Sequence, residues 1–280
     1  MKKFLALMML LLLAGLAGLG WAFFVYPQEP VSLPQPVEVA IARGSGGVVI
    51  AGKLADAGVI EHPQLFRILS QLFGVAGSFQ AGEYLFQGEV TPAAVMEKLR
   101  SGDIIIRKIT VPEGKTSVEV IELINRAMEL VGDIAAIPAE GSLLPNTYRY
   151  VRDDTRQSLV DRMQQEQRKL LDAIWDQRAA DLPFTTPQQA LVLASIVEKE
   201  TGLPEERRHV AGLYINRLKK GMLLQADPTV AYGVYGGQYA DKPLRVSDLK
   251  KDTPYNTYLH TGLPPTPICN PGKEAIEAVL

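Results

Sequence analysis

The sequence predicts an α+β protein carried on an N-terminal transmembrane helix. Three observations predict it. An uncharged apolar run extends from Phe4 to Tyr26. After it, strand and helix patterns alternate in the order β-α-α-β-α-β up to Val111. Beyond Val111 come helical patterns separated by loops rich in glycine and proline, a larger and mixed region.

At about 1.5 Å per residue, a helix over the apolar run crosses a hydrocarbon core of roughly 30 Å. A cleavable signal peptide is the competing reading, but its apolar core usually holds only about 7–15 residues. Here the run is longer and ends in Trp21, Phe23, Phe24 and Tyr26. Aromatic side chains suit a membrane interface, so residues 1–26 read as a retained anchor. Lys2 and Lys3 favour a cytoplasmic N-terminus, which puts the rest of the chain outside. Pro27, Pro30, Pro34 and Pro36 predict a stiff, extended spacer over 27–36.

Val37–Ala42 alternates as a strand does. Helical patterns follow over Val48–Ala57 and Pro63–Phe73, then a strand around Glu83–Gln87. Thr91-Pro92 is an N-cap and first-turn pair for a helix ending at Gly102. Ile104–Val111 reads as one apolar strand, Ser117–Leu130 and Thr155–Arg178 as helices.

Charge and metal-ligand spacing exclude more than they propose. The 29 basic and 31 acidic residues are interspersed with no basic block, which argues against a nucleic-acid partner. The single cysteine, Cys269, allows no internal disulfide. His62, His209 and His260 lie far apart and supply no zinc-ligand spacing.

One helix ends in carboxylates. Thr186-Pro187-Gln188-Gln189 fits a capping box, and Ala190–Val197 is apolar on every side except Ser195. The helix closes on Glu198-Lys199-Glu200. A carboxyl group buried there would have its pKa raised by desolvation and by the negative end of the helix dipole, as a general acid requires. Periodicity leaves open whether Glu198 or Glu200 points inward, and charged residues at such a place are often only a solvated helix end. Another helix begins at Pro204 and stops at Gly221.

The loops that follow combine fixed turns with polar and aromatic side chains, a mixture suited to a sugar-binding groove or to ordinary ordered turns. In order along the chain stand VPEGKT at 111–116, EGSLLPNTY at 140–148, LASIVEKET at 193–201 and YINRL at 214–218. LQADPTVAYG at 224–233, YNTY at 255–258 and GLPPTPICNPG at 262–272 complete the set. Each string alone is weak, but together they resemble the YceG-like family of endolytic murein transglycosylases over nearly the whole chain. Leu144-Pro145-Asn146 departs from the family's usual Phe-Pro-Asp, and the family usually runs some fifty residues past a position like Leu280.

The resemblance implies a LysM-like subdomain over residues 37–110 and a mixed α/β catalytic domain over 111–280 that lacks the family's C-terminal end. It implies Glu198 as the catalytic carboxylate, a bond between N-acetylmuramic acid and N-acetylglucosamine as the target, and no metal or organic cofactor. Gln225, Asp227, Tyr255, Asn256 and Glu140 are the candidates for holding the glycan. Implied partners are peptidoglycan strands, the bacterial cytoplasmic membrane through residues 4–26, and cell-wall synthases. Two rivals remain: a muramidase using water, with Asp227 or Glu140 as its second carboxylate, and a peptidoglycan-binding scaffold without activity.

Overall fold

The computed structural model describes residues 2–239 and 242–280. The chain divides into two compact units, Met1–Ile106 and Arg107–Leu280. The apolar N-terminal residues form helix α1 (Lys2–Gly20), which continues through a π turn at Trp21–Val25 and a 3-10 turn at Tyr26–Gln28. The stretch Lys3–Gln28 contains an 18-residue window of mean hydropathy 2.2 and is long and apolar enough to cross a membrane. One aromatic departs from the expected interface set. Tyr26 is buried and its hydroxyl donates to the His62 carbonyl at 3.2 Å, so this residue belongs to the folded unit.

The first unit continues with β1 (Val31–Ile41), α2 (Gly47–Asp56), α3 (Pro63–Leu72), β2 (Gly82–Val90) and α4 (Pro92–Ser101). Strands β1 and β2 pair antiparallel, and the helices bury Leu54, Phe66, Leu69 and Leu99 with Tyr84 of β2. The second half of the segment expected as a stiff, extended spacer is extended and forms part of β1. Val31–Leu33 already pairs with β2, and the register breaks before Val37. Pro34 and Pro36 fall within that break, where the missing N–H groups cost no ladder bond. Thr91 caps α4 by accepting from Ala94 N at 3.2 Å, and Gly102 closes it.

The expected strand over Ile104–Val111 is split. Ile105 N donates to Glu83 O in the first unit, and β3 begins only at Arg107, running to Thr110. In the second unit β3 pairs antiparallel with β4 (Thr147–Tyr150). Around this ribbon lie α5 (Ser117–Asn125) and α6 (Arg156–Trp175), whose apolar faces share one core with Leu143 and Met163. A second core surrounds α7 (Pro187–Glu200), packed by α8 (Pro204–Lys219), α9 (Asp227–Tyr235) and α10 (Lys273–Val279). Helix α5 stops five residues short of the expected Leu130. Helix α9 forms where the sequence reads as loop, with Pro228 in its first turn, a position that needs no N–H donor.

Candidate active site

The Thr186 hydroxyl accepts from Gln189 N at 3.3 Å, and the Gln189 side chain accepts in turn from Thr186 N at 3.2 Å. That reciprocal cap starts α7, and every residue from Ala190 to Val197 is buried. The helix is therefore held rigidly by packing on all sides, and it delivers Glu198 to a fixed point.

The structure separates the two carboxylates that periodicity left equivalent. The Glu198 side chain is only 5 % exposed, whereas Glu200 lies at the surface. Glu198 Oε2 accepts from the backbone N–H of Gly272 at 2.8 Å. Its Oε1 lies 3.6 Å from Nη2 of Arg207, a guanidinium only 8 % exposed. The same Nη2 reaches Glu113 Oε2 at 3.3 Å, and Nη1 pairs with Glu274. One cation thus serves three carboxylates.

Burial is the main cause that raises the Glu198 pKa. Glu113 and Glu274 push it the same way, and the Gly272 N–H and Arg207 oppose them. Glu200 is an exposed residue, but its carboxyl end meets the buried Tyr214; that local desolvation raises its pKa, opposed by the hydrogen bond with Tyr214. Burial raises Glu140 too, opposed by the N–H and hydroxyl of Ser117.

Two distant loops close on Glu198. Gly114 has φ +73°, a conformation that favours glycine, and a Cβ there would sit 3.6 Å from Glu198 Cγ. At Gly272 a Cβ would overlap the Glu113 carboxyl as it stands, so a larger residue there would require the Glu113 side chain to move away. Asn270, fully buried, joins them. Its Nδ2 donates to Lys115 O at 3.0 Å and its Oδ1 accepts from Leu143 N at 3.0 Å. Backbone bonds Gly114 N to Asn270 O (3.0 Å) and Asn270 N to Lys115 O (2.8 Å) complete the seam. Ser195 ties the second loop to α7, its Oγ accepting from Ile268 N at 3.0 Å.

The five residues proposed to hold glycan fall into three places. Glu140 and Tyr255 line a cavity of about 740 Å³ beside α7. Glu140 accepts from Ser117 N at 2.9 Å, and the Tyr255 ring lies 4.9 Å from that of Tyr232. Gln225 and Asp227 are exposed elsewhere. Gln225 is held at φ +55° by a bond from its N–H to Thr257 O, and Asp227 accepts from the Tyr258 hydroxyl at 2.6 Å. Asn256 is fully buried. Its amide donates to Leu249 O and Lys251 O and accepts from Tyr258 N, so it holds a turn and presents no free polar atom to a sugar.

Sequence reasoning missed Arg207, Glu113, Glu274 and Asn270. No local signal marks Arg207, which sits among the ordinary charges of Pro204-Glu205-Glu206-Arg207-Arg208. Glu198 does not line this cavity, which is a neighbouring feature along the same helix. Among the described residues, no group of three or more His, Cys, Asp and Glu is arranged to hold a metal ion.

Comparison with known proteins agrees with this frame. The endolytic murein transglycosylase of Bacillus subtilis (strain 168) is 30% identical, the match covering 89% of this chain and 79% of that protein. The protein of the same name from Streptococcus pneumoniae (strain D39) is 26% identical over 87% of this chain and 52% of its own length. The chain thus spans about half of that longer relative. A crystal structure of a YceG-like protein from Listeria monocytogenes superposes with a TM-score of 0.53 at 26% identity, covering 88% of this chain and 90% of that one. Residues 39–280 match the YceG-like family, two of the motif loops meet at the Glu198 carboxyl, and the chain belongs to the YceG-like family.

Proposed function

We propose that the protein is an endolytic lytic transglycosylase. It cleaves the β-1,4 bond between N-acetylmuramic acid and N-acetylglucosamine within peptidoglycan strands and leaves 1,6-anhydro-N-acetylmuramic acid ends. The observation that carries this reading is Glu198: a carboxyl 5 % exposed, with a raised pKa, fixed at the end of a rigid helix where two motif loops converge. The named activity of the relatives supports it.

In this mechanism the proton resides on Oε1, because Oε2 is committed to the Gly272 N–H. Glu198 gives that proton to the glycosidic oxygen as positive charge develops on the sugar. The C6 hydroxyl of the muramic acid then attacks its own anomeric carbon, and ionised Glu198 accepts the hydroxyl proton. An intramolecular nucleophile reaches an effective concentration on the order of 10⁵ M or more when well oriented, so no second carboxylate is needed to activate water. Glu140 and Tyr255 contact the strand from the cavity side; Gln225 and Asp227 contact it near the end of α7.

A LysM-like subdomain over 37–110 and a catalytic domain over 111–280 complete the reading, supported by the β-α-α-β order of the first unit. The apolar helix holds the protein in the cytoplasmic membrane with residues 27–280 outside, facing peptidoglycan, where cell-wall synthases are its neighbours.

The muramidase reading has one specific observation in its favour. Glu113 and Glu274 share Arg207 with Glu198, which puts further carboxylates beside the acid. Digestion of purified strands in heavy-oxygen water separates the two. The transglycosylase gives fragments lighter by one water and without label. Labelled reducing ends as the main product would establish the muramidase instead.

A further inference from the structure

The cavity beside α7 has walls formed largely by Ile137, Pro138, Leu171, Leu191 and Pro267. Two polar side chains interrupt this apolar lining in an unusual way. Gln167 is 2 % exposed, and neither its Oε1 nor its Nε2 has a hydrogen-bond partner among the described residues. Ser142 Oγ, on the same cavity, is buried and without a partner in the same sense. Buried polar groups are nearly always paired, and an unpaired amide weakens the fold that contains it. The site has an easy alternative. Gln167 lies one turn from Met163 and one turn from Leu171 on α6, both buried, so an apolar residue would suit that face.

An amide offers one donor and one acceptor side by side, and its best complement is another amide. The cavity volume of about 740 Å³ falls in the range that accommodates a whole small ligand, roughly 300–1,000 Å³. The methyl of an N-acetyl group would leave most of it unfilled. Arg168 also lines the cavity and supplies a cation, which a peptide carboxylate can use and an acetyl group cannot. Leu191 precedes Glu198 by seven residues on one helix, so the cavity lies roughly 10 Å along the axis from the proposed acid. That separation suits a substituent of the sugar being cut.

We propose that this cavity receives the peptide arm of the muramic acid residue. Gln167 Nε2 donates to a peptide carbonyl, the peptide N–H donates to Gln167 Oε1, and Ser142 Oγ supplies a third bond. The inference rests on the peptidoglycan reading given above and adds that the enzyme recognises peptide-bearing strands.

The test is a titration of the full chain in detergent micelles, followed by calorimetry or NMR. The probes are N-acetylmuramoyl-L-alanyl-D-isoglutamine and N-acetylmuramic acid. The peptide-bearing probe should bind at least tenfold more tightly. Gln167→Leu and Ser142→Ala should each reduce that preference, and Gln167→Leu should also melt at a higher temperature, because a buried amide without a partner has been removed. Equal binding of the two probes would overturn the inference and assign the amide to solvent, as would an unchanged preference in both variants. Strand cutting is measured separately. Cutting without peptide preference removes the inference alone. Peptide preference without cutting removes the transglycosylase reading and leaves the site.

Discussion

Replacing Asn270 with alanine tests whether the seam between the two glycine loops builds the site. Asn270 is fully buried and its side chain makes bonds to Lys115 O, Leu143 N and Ser117 Oγ. Lys115 O keeps the Asn270 N–H, and the Ser117 hydroxyl keeps Ala139 O. The Leu143 N–H is left buried without its acceptor, a cost of about 1–3 kcal/mol, and each lost bond adds about 1 kcal/mol. The expected destabilisation is about 3–5 kcal/mol. For a unit of this size, that lowers the melting temperature by roughly 6–20 °C. Activity should fall further than stability suggests. The Gly272 N–H and the Gly114 turn would drift from Glu198, and a displacement of about 1 Å at a catalytic group can cost about 100-fold in rate. Asn256→Ala is the comparison, since it removes an equally buried turn-holding amide. It should show similar loss on thermal denaturation and a much smaller loss of strand cutting. If Asn270→Ala melts within about 2 °C of the parent and cuts normally, the seam does not organise the site.

Glu198→Gln should abolish cutting, a loss of about 10²–10⁴ for a general acid, and should leave the melting temperature close to the parent's, because the amide keeps the shape and an acceptor for the Gly272 N–H. Glu200→Gln should retain most activity; the reverse pattern would move the acid to Glu200. In the proposed mechanism cutting requires protonated Glu198, so the rate should fall as pH rises through its raised pKa. Arg207→Gln removes a group that lowers that pKa and should move the fall to higher pH, while Glu113→Gln removes one that raises it and should move the fall to lower pH. Shifts in the same direction would show that the limb belongs to another group. The full chain should pellet with membranes and resist carbonate extraction, and a reporter active only outside the cytoplasm should work when fused after Pro36. A mature N-terminus beyond Tyr26 would identify a cleaved leader.

What the sequence made legible is what local chemistry decides. Thr186 with Gln189, Thr91 with Pro92, and Gly102 each act within a few residues, and the helices they bound lie within one or two residues of expectation. Where expectation failed, a distant partner decided. Pro34 and Pro36 read as part of a stiff, extended spacer, and only the register break against β2 shows that they sit within a paired strand. Ile104–Val111 looks like one strand, but Ile105 and Arg107 bond to different units. Asp227–Tyr235 contains a proline, a glycine and β-branched residues, and it becomes helical with Val230 and Ala231 packed into the second unit. The inward carboxylate of α7 was not readable because the helix is apolar all round. Gly272 and Arg207, which distinguish Glu198 from Glu200, come from elsewhere in the chain.

The proposed chemistry asks one carboxyl to act first as an acid and then as a base, and its surroundings favour neither form completely. Oε2 is bonded to the Gly272 N–H, an interaction available to a carboxyl and a carboxylate alike. Oε1 is 3.6 Å from Arg207, beyond hydrogen-bonding distance, and the guanidinium is already engaged by Glu274 and Glu113. A full bidentate pair with Arg207 would hold Glu198 ionised and remove its proton from use. Without Arg207, the ionised form would stand next to Glu113 and Glu274 with no counter-charge, and the proton could not leave. Partial sharing of one cation among three carboxylates keeps both protonation states accessible. The close packing of α7 serves the same proposed chemistry, since a small movement of Glu198 toward Arg207 would convert a shared contact into a fixed ion pair.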